Sequence, residues 1–335
     1  MKKTILLTGG TGYIGSHTAV ELIGSGYEAV LLDNLSNSKA VVVERIRQIS
    51  GTAPALVEGD INDRVVLRQV FEEYDIEGVI HFAGLKAVGE SNDIPLHYYR
   101  NNISGTVTLL EEMDRAGVRN IVFSSSATVY GDPESVPITE EAPLQATNPY
   151  GRTKLFIEHI LKDLSASDPA WNIAILRYFN PIGAHESGLI GENPKGIPNN
   201  LLPFVAQVAA GQRESLRVFG DDYPTPDGTG IRDYIHVVDL AKAHVKACRA
   251  LEVRPGLIIT NLGTGKGYSV LEVVRAFEKA SGRKVPFTVA PRRPGDVSEA
   301  YADPRHASKV LGWQAELDLD RMCVDGWRFI CNISD

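Results

Sequence analysis

The sequence predicts an α/β protein: a doubly wound parallel sheet flanked by helices, followed by a smaller C-terminal α/β domain that holds substrate. Three observations predict it. Short apolar runs alternate with helix-period segments through the first half, the pattern of parallel strands joined by crossover helices. Those runs are continuous rather than alternating, as strands buried on both faces require. A glycine-rich turn, Gly9 to Gly15, separates the first run from the first helical segment.

Strands are expected at 4–7, 29–32, 55–57, 79–82, 121–123 and 173–176, and helices at 13–23, 39–48, 65–74, 96–116 and 150–164. After Phe179 the texture changes, because 180–203 is rich in Gly, Pro and Asn and shows little periodicity. The boundary is placed there, giving a first domain at 1–180 and a second at 181–335, with some segments of the second returning to the first. Further helices are expected at 202–210, 238–250 and 270–280, the last opened by a capping box at Ser269 and Glu272. The stretch 220–230, dense in Asp, Pro and Gly, reads as a long and therefore functional loop.

Composition excludes several classes. The 335 residues carry a net charge of −8 without a basic run, which argues against nucleic acid or an anionic membrane as partner. A small anionic ligand needs only a few local cations and helix N-termini. Three cysteines without CxxC pairing fit neither a disulfide framework nor a zinc site, so a reducing cytosol is expected. The apolar start ends at Thr8, too short for a secretory signal, and no run has the ~18 apolar residues of a membrane span.

Gly9, Gly12 and Gly15 lie between strand and helix, where they allow a tight turn, close approach of backbone to a pyrophosphate, and close helix–strand packing. A glycine triplet alone is equally a tight turn without ligand. Here Asp33 ends the second strand, 24 residues after Gly9. A carboxylate there accepts hydrogen bonds from ribose hydroxyls and repels a 2′-phosphate, favouring NAD over NADP. Together these features mark a Rossmann-type dinucleotide site. Asp60 could serve the adenine end of the cofactor, or cap the helical segment that begins near Asn62. Small residues after the fourth strand, in Phe82-Ala83-Gly84-Leu85-Lys86, let a cofactor lie against the backbone.

Tyr150 and Lys154 stand four apart and share one helical face. A phenol ionises near 10, so a neighbouring ammonium and a cationic nicotinamide must lower it by about three units, ~4 kcal/mol, to make it a base at neutral pH. Ser124 to Ser126 put hydroxyls at the carboxyl end of the fifth strand, where such sheets bind ligands. Gly263-Thr264-Gly265-Lys266-Gly267 is rejected as a phosphate loop, lacking the hydroxyl residue after the lysine and the earlier glycine. His185 has no second ligand at metal spacing and reads as structural. No metal is expected.

On these residues the chain resembles the extended short-chain dehydrogenase/reductase family and, within it, the UDP-glucose (UDP-galactose) 4-epimerases. The likeness runs through 8–18, 32–38, 57–61, 81–91, 123–132, 177–184, 196–202 and 230–239. The resemblance implies that NAD takes a hydride from the sugar C4 and returns it to the other face. Tyr150 would be the base, Lys154 would depress its pKa and hold the nicotinamide ribose, and Ser126 would bond the 4-oxygen. Ser124 resembles a cofactor contact, and Tyr13, Ile14, Asn34, Asn37, Ser38, Asp60, Ile61, Phe82, Ala83, Lys86, Asn101 and Phe179 match the rest of the NAD site.

For a UDP-sugar substrate the resemblance implies diphosphate ligands in Arg232 and Arg293 and a ribose ligand in Asp296. Asn180, Asn200, Leu201 and Phe219 match further nucleotide or sugar contacts. Ala300 occupies a position that is Tyr in relatives confined to glucose and galactose, and small in those that also accept N-acetylhexosamines. A homodimer is implied, through the helical segments 96–116 and 150–164. Two rivals are weighed. A 4,6-dehydratase needs adjacent Asp and Glu beside the serine strand, where this chain has Ala127 and Thr128. A non-catalytic NAD-sensing regulator typically loses the Tyr or the Lys, and both are present.

Overall fold

The computed structural model describes residues 2–196, 198–293 and 295–334. Met1, Ile197, Pro294 and Asp335 lie outside the described residues, Ile197 and Pro294 within the 196–202 and 291–296 stretches. The chain begins with β1 (Thr4–Thr8), α1 (Tyr13–Gly24), β2 (Glu28–Asp33), α2 (Val41–Ser50), β3 (Ala55–Glu58) and α3 (Arg64–Glu73). Then come β4 (Ile76–His81), α4 (Val88–Asp93), α5 (Pro95–Tyr98), a π-helical turn (Tyr99–Ser104) and α6 (Gly105–Arg115). β5 (Asn120–Ser126), α7 (Pro149–Ser167) and β6 (Asn172–Tyr178) follow. Beyond these lie β7 (Asn180–Ile182), α8 (Leu201–Ala209), β8 (Leu216–Phe219), β9 (Ile231–His236), α9 (Val237–Val253) and β10 (Leu257–Leu262). The last elements are β11 (Gly267–Ser269), α10 (Val270–Ser281), β12 (Phe287–Ala290), β13 (Glu299–Ala300), α11 (Arg305–Leu311) and α12 (Leu319–Ser334).

Seven strands form one parallel sheet in the order β10-β6-β5-β4-β1-β2-β3. Strand order reverses between β1 and β4, which opens a crevice at the carboxyl ends. Alternate residues feed opposite faces: Leu7 and Leu31 pack under α1 and α9, while Leu6 and Val30 pack under α3 and α6. Another apolar core, including Val205, Phe277 and Met322, joins α8, α10 and α12.

All six expected strands lie in the sheet, with ends shifted by a few residues. The seventh, β10, comes from beyond residue 180 and pairs with β6 from Leu257↔Ile173 to Leu262↔Tyr178. The expected helix at 96–116 is instead α5, a π turn and α6. The widened turn carries Asn102, whose buried amide accepts from Leu85 N at 2.8 Å and donates to Leu85 O at 3.0 Å. A π turn beside a binding crevice is a recurrent use of that winding, and apolar periodicity does not reveal it. The capping box at Ser269 and Glu272 is formed. Asp60 is not a helix cap; that position is Asp63, which accepts from Val65 N and Val66 N.

The rejected phosphate loop has another use. Asp233, fully buried in β9, accepts from Thr264 N (2.8 Å), Thr264 Oγ1 (2.7 Å), Gly265 N (3.0 Å) and Ala302 N (3.1 Å). The loop amides are spent on this carboxylate, which ties the loop to β9 and to the chain after β13. A Cβ at Gly263 would sit 2.5 Å from Asp233 Oδ2 and 2.7 Å from Ala302 Cβ. Gly263→Ala should therefore lower stability by about 2 kcal/mol, read as a lower urea midpoint at unchanged slope; an unmoved midpoint would refute the close packing.

Candidate active site

The glycine turn spans the end of β1 and the start of α1. Gly9 has φ +70°, and a Cβ there would meet Ala83 N at 2.9 Å; one at Gly15 would lie 2.4 Å from Gly9 O. Only glycines leave this backbone bare toward the crevice. Gly12 precedes α1 without a side-chain cap, so the first helical N–H groups face the crevice as anion donors. The site thus fits a pyrophosphate. Asp33, nearly buried at the end of β2, accepts from Thr11 N at 3.1 Å, Leu35 N at 2.9 Å and Ser38 Oγ at 3.0 Å. Asn34 donates to Asp60 at 2.8 Å, and Asn37 accepts from Lys195 N at 3.2 Å. These contacts gather the residues expected at the adenosine end along one rim. Ile14 and Ile61 pack into the cores on either side of the sheet.

His81, buried in β4, bridges Thr8 Oγ1 (2.7 Å) and Thr106 Oγ1 (2.8 Å). Burial pushes its pKa down to about 3, so it is neutral, and it braces the chain where Phe82 and Ala83 begin. Tyr13 donates to Gly183 O at 2.7 Å and joins α1 to the second half. The Phe82 ring packs 4.8 Å from that of His244, and Asn101 donates to Asn102 at 3.0 Å. Phe179 is buried beside Val129 and Tyr130.

α7 starts where Asn148 accepts from Gly151 N at 2.8 Å, with Pro149 in the first turn. This start places Tyr150 at the carboxyl end of β5. Lys154 is buried; its Nζ donates to Ser124 O at 2.6 Å and lies 6.0 Å from the centre of the Tyr150 ring. Burial pushes its pKa down to about 8, opposed by the Glu158 carboxylate. The Tyr150 phenol is raised by burial, while a hydrogen bond with Ser126 and the charge of Lys86 lower it. The opposing cation resolved at the phenol is thus Lys86, with Lys154 placed to add to it.

Lys86 was expected only as a cofactor contact. Its Nζ pairs with Glu192 at 2.8 Å, and Glu192 also accepts from Asn200 Nδ2 at 2.7 Å. Glu192 therefore links the cofactor loop to the expected substrate side. Sequence reasoning missed it, as the aperiodic stretch after 180 offers no spacing that singles it out. Glu158 was missed as well, although it lies four residues after Lys154 on the same face.

The residues expected on the substrate side lie from β7 onward. Asn180 in β7 pairs with Tyr234 in β9, and Arg232 in β9 pairs with Ala300 in β13. Arg232 Nη2 lies 3.9 Å from Asp296. The Arg293 guanidinium stacks 3.9 Å from the Phe219 ring, whereas Arg292 is held by Asp222 at 2.7 Å. Leu201 opens α8 directly after Asn200. His185 bonds Ser187 at 2.9 Å, and among the described residues no group of three or more His, Cys, Asp or Glu could hold a metal. Among the described residues no helix is long and apolar enough to cross a membrane, and Cys248, Cys323 and Cys331 are free.

A family model described as GDP-mannose 4,6 dehydratase matches residues 6–325. The chain is 61% identical over 325 residues to a UDP-glucose 4-epimerase of Bacillus subtilis, covering 97% of this chain and 96% of that one. Its structure is similar to that of a UDP-glucose 4-epimerase from Bifidobacterium longum in complex with NAD+ and UDP: TM-score 0.95, 53% identity, 98% of each chain covered. It is similar also to one from Stenotrophomonas maltophila with bound NAD and formylated UDP-arabinopyranose: TM-score 0.97, 53% identity, 99% of each chain covered.

Proposed function

Because the chain belongs to the UDP-glucose 4-epimerase family, we propose that it interconverts UDP-galactose and UDP-glucose by inverting C4 through a 4-keto intermediate, with NAD as cofactor. The observation that carries this reading is the convergence of Ser126, Lys154 and Lys86 on Tyr150, with Lys86 on the loop whose start packs against the bare glycine turn. Bound NAD supplies the acceptor and donor of the C4 hydride. Gly9, Gly12, Gly15 and Asp33 would hold its adenosine diphosphate half, and Lys154 and Ser124 its nicotinamide end.

Tyr150 takes the proton of the 4-hydroxyl as hydride leaves C4, and gives it back when the hydride returns to the opposite face. Ser126 bonds the 4-oxygen during each transfer. Between the two transfers the hexose turns over while its UDP stays anchored. Arg232 and Arg293 suit the diphosphate, since a guanidinium matches phosphate oxygens in pairs, and Asp296 suits the uridine ribose.

Magnitudes decide how the phenol ionises. Moving it from about 10 to about 7 takes ~4 kcal/mol before the cost of burial. A unit charge at the 6.0 Å that separates Lys154 Nζ from the ring centre contributes at most about 3 kcal/mol at an effective dielectric near 20. One ammonium falls short. Lys86 lowers the phenol as well, and the cationic nicotinamide of bound NAD would supply the remainder. Elimination of water across C5–C6 lacks its catalysts, because Ala127 and Thr128 carry no carboxylate beside Ser126.

Three finer readings belong here. The small side chain of Ala300, half-buried and paired with Arg232, supports a sugar pocket wide enough for an N-acetyl group. A homodimer is supported by exposed Leu96 (81%) on α5 and Phe156 (45%) on α7, with Tyr99 and Phe156 rings 6.2 Å apart. A cytosolic location is supported by the three unpaired thiols.

Purified protein should convert UDP-galactose to UDP-glucose without added NAD, and Tyr150→Phe should lose about 10²–10⁴-fold in kcat while keeping its NAD; undiminished turnover would remove Tyr150 as the base. Wild type should also turn over UDP-N-acetylglucosamine, and Ala300→Tyr should abolish that activity alone. Absence of N-acetyl turnover in the wild type disposes of the wider pocket. Leu96→Glu should convert a dimer to a monomer in sedimentation, and a wild-type monomer contradicts the interface.

A further inference from the structure

Tyr150, Lys154 and Glu158 recur at every fourth residue of α7 and so share one face. Glu158 has no exposed side-chain surface, an unusual place for a carboxylate. Three donors surround it: Arg177 Nε at 2.9 Å, Arg177 Nη2 at 2.6 Å and Ser125 Oγ at 2.6 Å. Ser125 and Arg177 stand opposite each other in β5 and β6. Ser125 lies between Ser124, whose carbonyl accepts from Lys154, and Ser126, which bonds the phenol. Arg177 continues to the Tyr130 hydroxyl at 2.8 Å, and that hydroxyl donates to Asn261 in β10 at 2.7 Å. A buried polar chain therefore runs from the catalytic helix across three strands.

Stability alone does not account for this chain. Taking two charges out of water costs about as much as their attraction returns, and apolar replacements of similar volume are often as stable. What apolar residues could not supply is a fixed negative charge one helical turn beyond Lys154. We propose that Glu158 is a positioning residue of the reaction: pinned by Ser125 and Arg177 one helical turn beyond Lys154, it sets a fixed negative charge that favours the Lys154 ammonium beside Tyr150. The inference rests on the assignment of Tyr150 and Lys154 made above.

The groups around Lys154 leave that task to Glu158. On its own helix Lys154 has Tyr150 one turn before it and Glu158 one turn after it, with Lys162 at 3.8 Å from Glu158. From β5 come the Ser124 carbonyl and the Phe123 ring at 4.9 Å. From β4 comes His81, whose pKa Lys154 lowers further. From β6 comes Arg177, already committed to Glu158. Glu158 is the anion whose charge opposes the effect of burial on Lys154.

The test is the pH profile of kcat for UDP-galactose in NAD-loaded protein. Lys154 acts as an ammonium, so activity falls as pH rises through its pKa. Glu158→Gln removes the opposing charge, and the basic limb should move down by about one unit, with a roughly tenfold lower ratio of kcat at the basic end to kcat at neutral pH. That variant leaves Arg177 buried without its partner, so Glu158→Gln with Arg177→Met, which removes both charges, is measured beside it. A profile that overlays the wild type after scaling by a constant overturns the proposal. So does failure of both variants to fold with bound NAD, which would make the pair scaffold only. Tyr150→Phe separates the two levels: activity in that variant sinks the base assignment, whereas its loss together with an unmoved Glu158 profile sinks this inference alone.

Discussion

The Tyr150 hydroxyl and the positive charge set against it are the constraint on which the rest of this molecule depends. Burial raises the phenol, yet a dry pocket is what a ketone intermediate and a migrating hydride need. Against burial the fold sets cations drawn from two separate elements. Lys154 comes from α7, one turn from the phenol, and Lys86 comes from the loop after β4. In a low-dielectric site each counts for more than it would in water.

Much of the architecture serves to hold those charges still. His81 and Asn102 lock the loop that carries Lys86, through Thr8, Thr106 and the Leu85 backbone. Glu192 ties Lys86 across to Asn200, so the cation on the cofactor side touches the half that carries the expected substrate residues. On that half, Asp233 fixes the register of β9 and the chain after β13, and with it the pairing of Arg232 and Ala300. The residues expected to anchor a nucleotide and the expected base thus rest on different parts of the chain, joined by polar links such as Tyr13 to Gly183 and Lys86 to Glu192. That arrangement suits a reaction in which one end of the substrate stays put while the other turns.

The parallel sheet was legible because buried strands read as unbroken apolar runs, and the cofactor turn was legible because few residues other than glycine tolerate its close approaches. The Tyr150–Lys154 pair was legible from helical spacing, and by the same spacing Glu158 could have been found. Other features left no local signal. β10 looks like any apolar run, and only pairing at long range assigns it to the first sheet. The π turn at Asn101 and Asn102 follows from tertiary bonds to Leu85, not from periodicity. Asp60 and Asp63 are alike as caps in sequence, and the backbone decides for Asp63. The glycines at 263–267 imitate a phosphate loop, but their partner is a carboxylate 30 residues upstream of Gly263.

The central claim concerns one proton, and ultraviolet difference titration reads it most directly. NAD-loaded wild type measured against Tyr150→Phe isolates the ionisation of this phenol. A phenol that ionises well below free tyrosine, and less readily when either Lys86 or Lys154 is replaced by Met, is the result the account predicts. A phenol that stays protonated to pH 10 or beyond with NAD bound would contradict it.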